Sequence, residues 1–334
     1  MMITKILQRA FLLVFLVVPL GASADDDEFS AVYVFGDSLS DNGNLAILPI
    51  VDPAQFGFLT FLNTFPFDAG FSNGDRAVEV LADGLGLQAE PSLYLVTLPD
   101  PLAGTNFAVA GARSTVLLDD LPIDLPIQIG AFLQSQSSTA PLDALYVVFI
   151  GGNDVRDARD AGSKEAANQI ILDAVAGIDG AIRTLAQFGA ENFLVANVPD
   201  IGAIPETRLI ASAIRDPDLP KRATKLTRMF NRRLAKAIDE IEEEFDIEIL
   251  EFDTFRFLRS TSKKGDQLGF INTQDPCFFT SAGTFNPACE FGANFDVFVF
   301  FDEIHPTAAV HELAGQAMLR LLWDDDDDDD DDDD

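Results

Sequence analysis

The 334-residue chain has only two cysteines, two histidines, one tryptophan and three tyrosines, and its 22 basic residues face 55 acidic ones. Each scarcity excludes something. Cys277 and Cys289 have no histidine close by in sequence, so a zinc site is ruled out as a poor fit. A formal charge of −33 repels nucleic acid and anionic lipid headgroups, and removing the 11 aspartates of the C-terminal run (324–334) still leaves −22. One Trp and three Tyr leave few polar-tipped aromatic platforms on which sugar rings could stack. Beyond residue 24 no apolar run is long enough to span a bilayer, which takes about 20 residues. "DSLSDNGN" lacks the twelve-residue ligand pattern and closing Glu of an EF-hand, and no cofactor or metal is called for.

What is present begins with a leader. Lys5 and Arg9 precede "AFLLVFLVVPLGASA", whose apolar run is broken by Pro19 and closed by small residues; residues 1–24 read as a signal peptide, giving a secreted protein, extracellular or periplasmic. In that oxidising setting the 11 residues between Cys277 and Cys289 form a loop that a disulfide can close, worth about 2–4 kcal/mol in the chain-entropy picture. The poly-Asp run at 324–334 reads as a solvated, disordered tail. Between them, residues 25–323 show neither repeat nor Gly/Ser linker, and read as a single domain, expected to be monomeric.

Within that domain, apolar runs at 31–35, 105–110, 144–150, 192–198 and 247–252 lack polar alternation, as strands buried on both faces do. Amphipathic segments near 74–86, 127–136, 164–188, 218–245 and 307–322 alternate with them. In the third of these, Ile170, Ile171, Ala174, Ile178, Ile182 and Leu185 form one apolar stripe. The alternation predicts an α/β fold with a parallel sheet covered by helices on both faces. The stretch from Phe252 to Asp302 reads as an elaborated loop.

In open parallel sheets, ligands bind beyond the carboxyl ends of the strands. Those ends carry Gly36-Asp37-Ser38-Leu39, then Gly111, then Gly151-Gly152-Asn153-Asp154, and finally Asp302 and His305. A serine hydroxyl needs a base to become nucleophilic, and histidine suits the task with a reference pKa of about 6.5. Asp302 stands three residues before His305, so one tight turn can aim carboxylate and imidazole together. The backbone N–H groups of Ser38 and Gly111 and the Asn153 amide are candidate donors to an oxyanion. Taken singly, Gly-Asp-Ser and Gly-Gly-Asn-Asp are ordinary turns, and Asp-x-x-His-Pro is an ordinary helix start; only their joint occurrence carries weight. Pro306 suits the first position of the last helix, and His311 reads as a solvated surface histidine. Asp37 and Asp41 to Asn44 are assigned to shaping the turn.

"FGDSLSDNGN", "NFAVAGA", "FIGGND" and "DEIHP", in this order, resemble the sequence blocks of the GDSL esterases and lipases, the SGNH hydrolase superfamily. "SNGDRAVEVLADGLGL" (72–87) is similar to a further stretch of its secreted bacterial and plant-like branch. The resemblance spans roughly residues 31–320; Ala110 departs from it, standing where many relatives have a second glycine. It implies Ser38 as nucleophile, His305 as base and Asp302 as its orienter, with Ser38, Gly111 and Asn153 as the oxyanion hole. It also implies a three-layer α/β/α sandwich, flavodoxin-like, whose five-stranded parallel sheet runs in the order 2-1-3-4-5. The expected activity is hydrolysis of acyl-lipid or short- to medium-chain carboxylic esters through an acyl-enzyme, the substrate being a small-molecule or lipid ester. Alternatives are an acyltransferase or carbohydrate O-deacetylase using the same site, or a non-catalytic binding protein of the same fold. The 29 phenylalanines cluster at 56–71 and 278–301, flanking the expected site in sequence. Core and loop packing is preferred there over an acyl-chain groove.

Overall fold

Four short apolar runs form the centre: Val32–Gly36 (β1), Leu145–Phe149 (β2), Asn192–Ala196 (β3) and Ile249–Phe252 (β4) pair in parallel, in that order. The structure, a computed structural model, describes residues 29–96, 104–116 and 121–324; the expected signal peptide and the acidic run from 325 onward lie outside the described residues. β1 and β2 are buried along their whole length, which accounts for their unbroken apolar sequences. Alternate residues still go to different layers. Tyr33, Phe35, Tyr146 and Val148 join one hydrophobic cluster, and Val32, Val34, Leu145 and Val147 join the other.

The helices are Leu48–Val51 (α1), Pro53–Phe56 (α2), Ala77–Gly84 (α3), Leu125–Ser135 (α4), Gly152–Asp160 (α5), Lys164–Gln187 (α6), Pro205–Ala213 (α7), Leu219–Phe245 (α8), Thr254–Lys263 (α9), Gly265–Leu268 (α10) and Ala308–Asp324 (α11). α3 and α11 cover one sheet face through Val78, Leu81, Ala314 and Met318. On the other face α4, α5, α6 and α8 contribute Phe132, Val155, Ile178 and Phe230. In α6 the predicted stripe is buried at Ile171, Ala174, Ile178, Ile182 and Leu185, with Ile170 half-buried beside it.

The fold is therefore α/β with helices on both faces of a parallel sheet, but the sheet differs from the expected five strands. The run at 105–110 lies along the free edge of β1 without forming a regular strand: Asn106 bridges Val34 on one side and Pro91 on the other, and the N–H groups of Phe107 and Val109 donate to the Val34 and Gly36 carbonyls. The ladder is broken on the β1 side, where the Gly36 N–H donates to the Gln128 side chain; on the far side the Asn106 and Ala108 carbonyls accept from the Asn44 amide.

Three further corrections concern helices and loops. "GGND" is not a loop, since α5 starts at Gly152. Gly151 just before it sits at φ 116°, where a Cβ would come 2.5 Å from the Phe230 ring. The stretch from Phe252 to Asp302 contains α9, capped by the Asp253 carboxylate, and four short strands: Asn272–Pro276 (β5), Phe278–Phe279 (β6), Thr284–Phe285 (β7) and Phe298–Phe300 (β8). β5 pairs with β8, β6 with β7, and the Cys277–Cys289 disulfide is buried with Phe295, Phe298 and Phe301. Pro306 does not start α11; it bridges to Phe300, and the helix begins at Ala308.

His311 is the remaining correction. It is 3 % exposed, packed between α11 and α3, and its Nδ1 accepts the N–H of Ala77 at 3.3 Å. The i, i+3 polarity of α11 alone does not reveal that a second helix covers this position. Burial, with the Arg76 and His305 charges adding to it, pushes its pKa down to about 3. The unfolded chain takes up this proton near pH 6.5, so stability is lost as pH falls from there towards the folded value. His311→Asn, which keeps an acceptor for Ala77, is expected to flatten that loss; melting temperatures of both proteins between pH 7 and pH 4 check it, and parallel curves would contradict it.

Candidate active site

β1 ends at Gly36, where Gln128 from α4 clamps the backbone: its amide oxygen accepts the Gly36 N–H at 2.9 Å and its nitrogen donates to the Gly36 carbonyl at 2.8 Å. The chain then turns sharply. Asp37, 2 % exposed, accepts the Leu39 N–H, and its carbonyl accepts from Ser40 and Asp41. Burial raises the Asp37 pKa to about 6, against the pull of its backbone donors and of the His305 and Arg156 charges. The turn presents Ser38, half-buried, at the sheet's carboxyl edge.

The histidine comes from the loop between β8 and α11. Thr307 ties this loop down, its N–H donating to Val299 and its hydroxyl to Phe298. Asp302 Oδ1 accepts the N–H groups of Ile304 and His305 at 2.8 and 2.7 Å, so the acid folds its own loop before it meets the ring. His305 Nδ1 lies 2.8 Å from Asp302 Oδ2, and Nε2 lies 2.7 Å from Ser38 Oγ. An ionised carboxylate only accepts, so Nδ1 carries the hydrogen and Nε2 is free to accept from the serine. The structure thus brings Ser38, Asp302 and His305 into one hydrogen-bonded line.

Of the predicted oxyanion donors, Asn153 lines the same cavity as Ser38 and His305, and the Gly111 stretch is tied to the Ser38 turn where Asp41 accepts the Ala110 N–H at 2.8 Å. Among the described residues the N–H groups of Ser38 and Gly111 donate to no protein acceptor. Gly111 sits at φ 89°, a conformation a side chain would strain. Asn153 lies in the first turn of α5; one of its amide hydrogens goes to the Ala112 carbonyl at 2.9 Å, leaving the other.

Several contributors were not legible in the sequence. Arg156, one helical turn after Asn153, donates to Asn153 Oδ1 at 3.0 Å and forks onto the Glu206 carboxylate of α7. Glu206 also takes Arg159, and its N–H donates to the Glu303 carbonyl in the histidine loop. Phe71 stacks on the His305 ring, centroids 4.9 Å apart. The (i, i+3) spacing of Asn153 and Arg156 was the available signal for the first, and the phenylalanine cluster at 56–71 beside the expected site was the signal for Phe71; nothing in sequence pointed to Glu206.

Beside Ser38, Asn153 and His305 opens a cavity of about 60 Å³, walled mainly by apolar groups including Phe149, Ile201, Ile204, Phe252 and Leu258. A dry cavity near 150 Å³ holds benzene, so this one suits a short alkyl group. Among the described residues no group of three or more His, Cys, Asp or Glu side chains is arranged to hold a metal ion.

A sequence model of the GDSL-like lipase/acylhydrolase family matches residues 32–318. A GDSL lipase of Tanacetum cinerariifolium is 26 % identical over 88 % of this chain and 84 % of its own length. A GDSL esterase/lipase of Arabidopsis thaliana is 26 % identical over 94 % of the chain and 91 % of its own length, and a second from the same plant is 24 % identical over 88 % and 90 %. With the sheet, the strand-end turns and this match in agreement over nearly all the described residues, the chain belongs to the GDSL-like lipase/acylhydrolase family and is a carboxylic ester hydrolase.

Proposed function

We propose that the chain is an exported serine esterase acting on acyl esters through an acyl-enzyme, with Ser38 as nucleophile, His305 as base and Asp302 as the group that holds the base. The observation that carries this reading is the continuous line from the Ser38 hydroxyl through both nitrogens of His305 to Asp302. As Oγ bonds to the ester carbonyl carbon, its proton passes to His305 Nε2, and the imidazolium is stabilised by Asp302. The developing oxyanion takes the N–H groups of Ser38 and Gly111 and the spare Asn153 amide hydrogen, each such donor being worth about 3–4 kcal/mol of barrier. Collapse breaks the ester C–O bond, the alcohol leaves with the His305 proton, and water then repeats the sequence to release the acid.

The apolar cavity beside Ser38 supports an acyl group as the part recognised, and the family's lipases and esterases agree with that class. The leader at 1–24 supports export, and the absence among the described residues of any helix able to cross a membrane is compatible with it. Both hydrophobic clusters share the same four strands, which supports a single domain over 25–323.

Arg156 acts here as a positioning residue. An amide can flip by half a turn with little steric penalty, and Arg156 on its oxygen with Ala112 on its nitrogen fixes the hydrogen-donating end.

Ser38→Ala is expected to lower kcat for p-nitrophenyl esters by at least about a thousandfold while leaving the melting curve in place. Retained turnover would remove the nucleophile assignment. Arg156→Gln is expected to reduce kcat about tenfold with KM little changed, and to have almost no further effect in an Asn153→Ala background, as residues acting as one unit do. Additive losses in that double-mutant cycle would show that Arg156 does not work through Asn153.

A further inference from the structure

The two phenylalanine-rich segments meet in space and reach the site. Phe61 packs on Phe67 with centroids 5.0 Å apart, Phe67 on Phe71 at 6.0 Å, and Phe71 on His305 at 4.9 Å. From the other segment Phe278 packs on Phe67 at 5.8 Å and on Phe285 at 5.0 Å, and Phe285 in turn touches Phe65 and Phe291. The inner rings are ordinary packing. The outer ones are not: Phe58, Phe65 and Phe291 are exposed by 72, 70 and 84 %, and Ile50 in α1, which packs on the 57–63 turn, by 65 %. Scattered apolar residues on a surface need no explanation, but Phe65 and Phe291 are exposed this far while joined through Phe285, Phe278, Phe67 and Phe71 to a reacting imidazole, and Ile50 and Phe58 stand on the packed α1 and 57–63 elements that carry Phe61; together they mark an interaction surface.

Charge decides what kind of surface it meets. Residues 45–67 contain Asp52 as their single charged residue and 285–295 contain Glu290, in a chain of net charge −33. With no lysine or arginine on the rim, nothing draws it to anionic headgroups, and the acidic body repels them. A layer of neutral ester would bury the exposed rings with no charge for the acidic body to repel, and would hold substrate close to a site that ring contacts link to the rim.

We propose that the rim formed by Ile50, Phe58, Phe65 and Phe291 docks the enzyme on an uncharged or zwitterionic lipid–water interface, so that it draws ester from an aggregated phase. The proposal rests on the hydrolase reading above and goes beyond it in naming the physical state of the substrate. The exposed rings enter the interface without any new covalent chemistry; turnover at Ser38 is unchanged in kind.

The test uses the mature full chain, with Phe58→Glu/Phe291→Glu as the main variant and Ile50→Glu as a second on a different element. Each is assayed on dissolved p-nitrophenyl acetate, on tributyrin below and above its solubility limit, and for co-flotation with phosphatidylcholine and phosphatidylglycerol vesicles. The wild type is expected to speed up on emulsified tributyrin and to float with phosphatidylcholine but not phosphatidylglycerol. Both variants are expected to keep p-nitrophenyl acetate turnover within about twofold while losing about tenfold or more of emulsion activity and vesicle binding, since each glutamate replaces an apolar group at the interface. Unchanged emulsion activity in the variants, stronger binding to phosphatidylglycerol, or a wild-type dimer in sedimentation that the variants dissolve would each overturn the proposal, the last assigning the rim to a second copy. A wild type inactive on p-nitrophenyl acetate would instead overturn the hydrolase reading itself, and activity lost on both substrates by one variant alone is resolved by the other.

Discussion

The Asp41 carboxylate, 1 % exposed, accepts N–H groups from Gly43 and Asn44 on one oxygen and from Leu45 and, 69 residues on, Ala110 on the other. Burial alone drives its pKa up; the four donors and the Arg76 charge oppose that and let a charge sit in the interior. Leaving any one of those N–H groups buried without an acceptor costs about 1–3 kcal/mol, so the loop carrying Gly111 cannot drift from the turn carrying Ser38. Asn44 and Asn106 extend the same fastening. Asn44 donates to the Asn106 and Ala108 carbonyls, and Asn106 donates to the Ser40 carbonyl and to Asn42. The small polar residues after Ser38 therefore hold two strand ends in one frame.

What was legible in the sequence followed from patterns with one cause. Strands buried on both faces are continuous apolar runs, so β1 to β4 stood out. Long helices with a single apolar stripe, such as α6 and α8, stood out for the same reason. α5, α7 and α9 did not, because their burial is set by neighbours far away in the chain: α9 buries only Thr254, Leu258 and Thr261, which makes no visible stripe. Ser38, Asp302 and His305, which the structure brings into one hydrogen-bonded line, were legible as a candidate site because nucleophilic chemistry restricts the residue types it can use and the topology sends strand ends to one edge. Glu206 was not, since a carboxylate that bridges two arginines looks in sequence like any other acid on a helix.

The two histidines show how far environment outweighs residue type. His305 has an acceptor-only carboxylate on one nitrogen and a hydroxyl on the other, so a proton can arrive at Nε2 and be stabilised there. His311 has a backbone N–H pointed at Nδ1 and lies beside Arg76, so protonation would bring two donors face to face in a buried site. One ring lies between a carboxylate and a hydroxyl and the other between a backbone N–H and a guanidinium, six residues apart on the same loop and helix.

Arg156 joins these parts into one body. Through Asn153 it touches the strand end of β2, through Glu206 it reaches α7, and the Glu206 N–H grips the carbonyl of Glu303 in the histidine loop. Glu303 in turn receives the N–H and hydroxyl of Thr280, in the segment closed by the disulfide. Asp41 holds Ser38 to Gly111, and Arg156 with Glu206 holds Asn153 to His305. The four stretches are thus paired off by two ionic groups, the buried Asp41 carboxylate and the half-buried Arg156–Glu206 pair. A site built from four distant stretches of chain needs such fastening more than it needs extra hydrophobic contact, because apolar packing is tolerant of small shifts and a serine within reach of an imidazole is not.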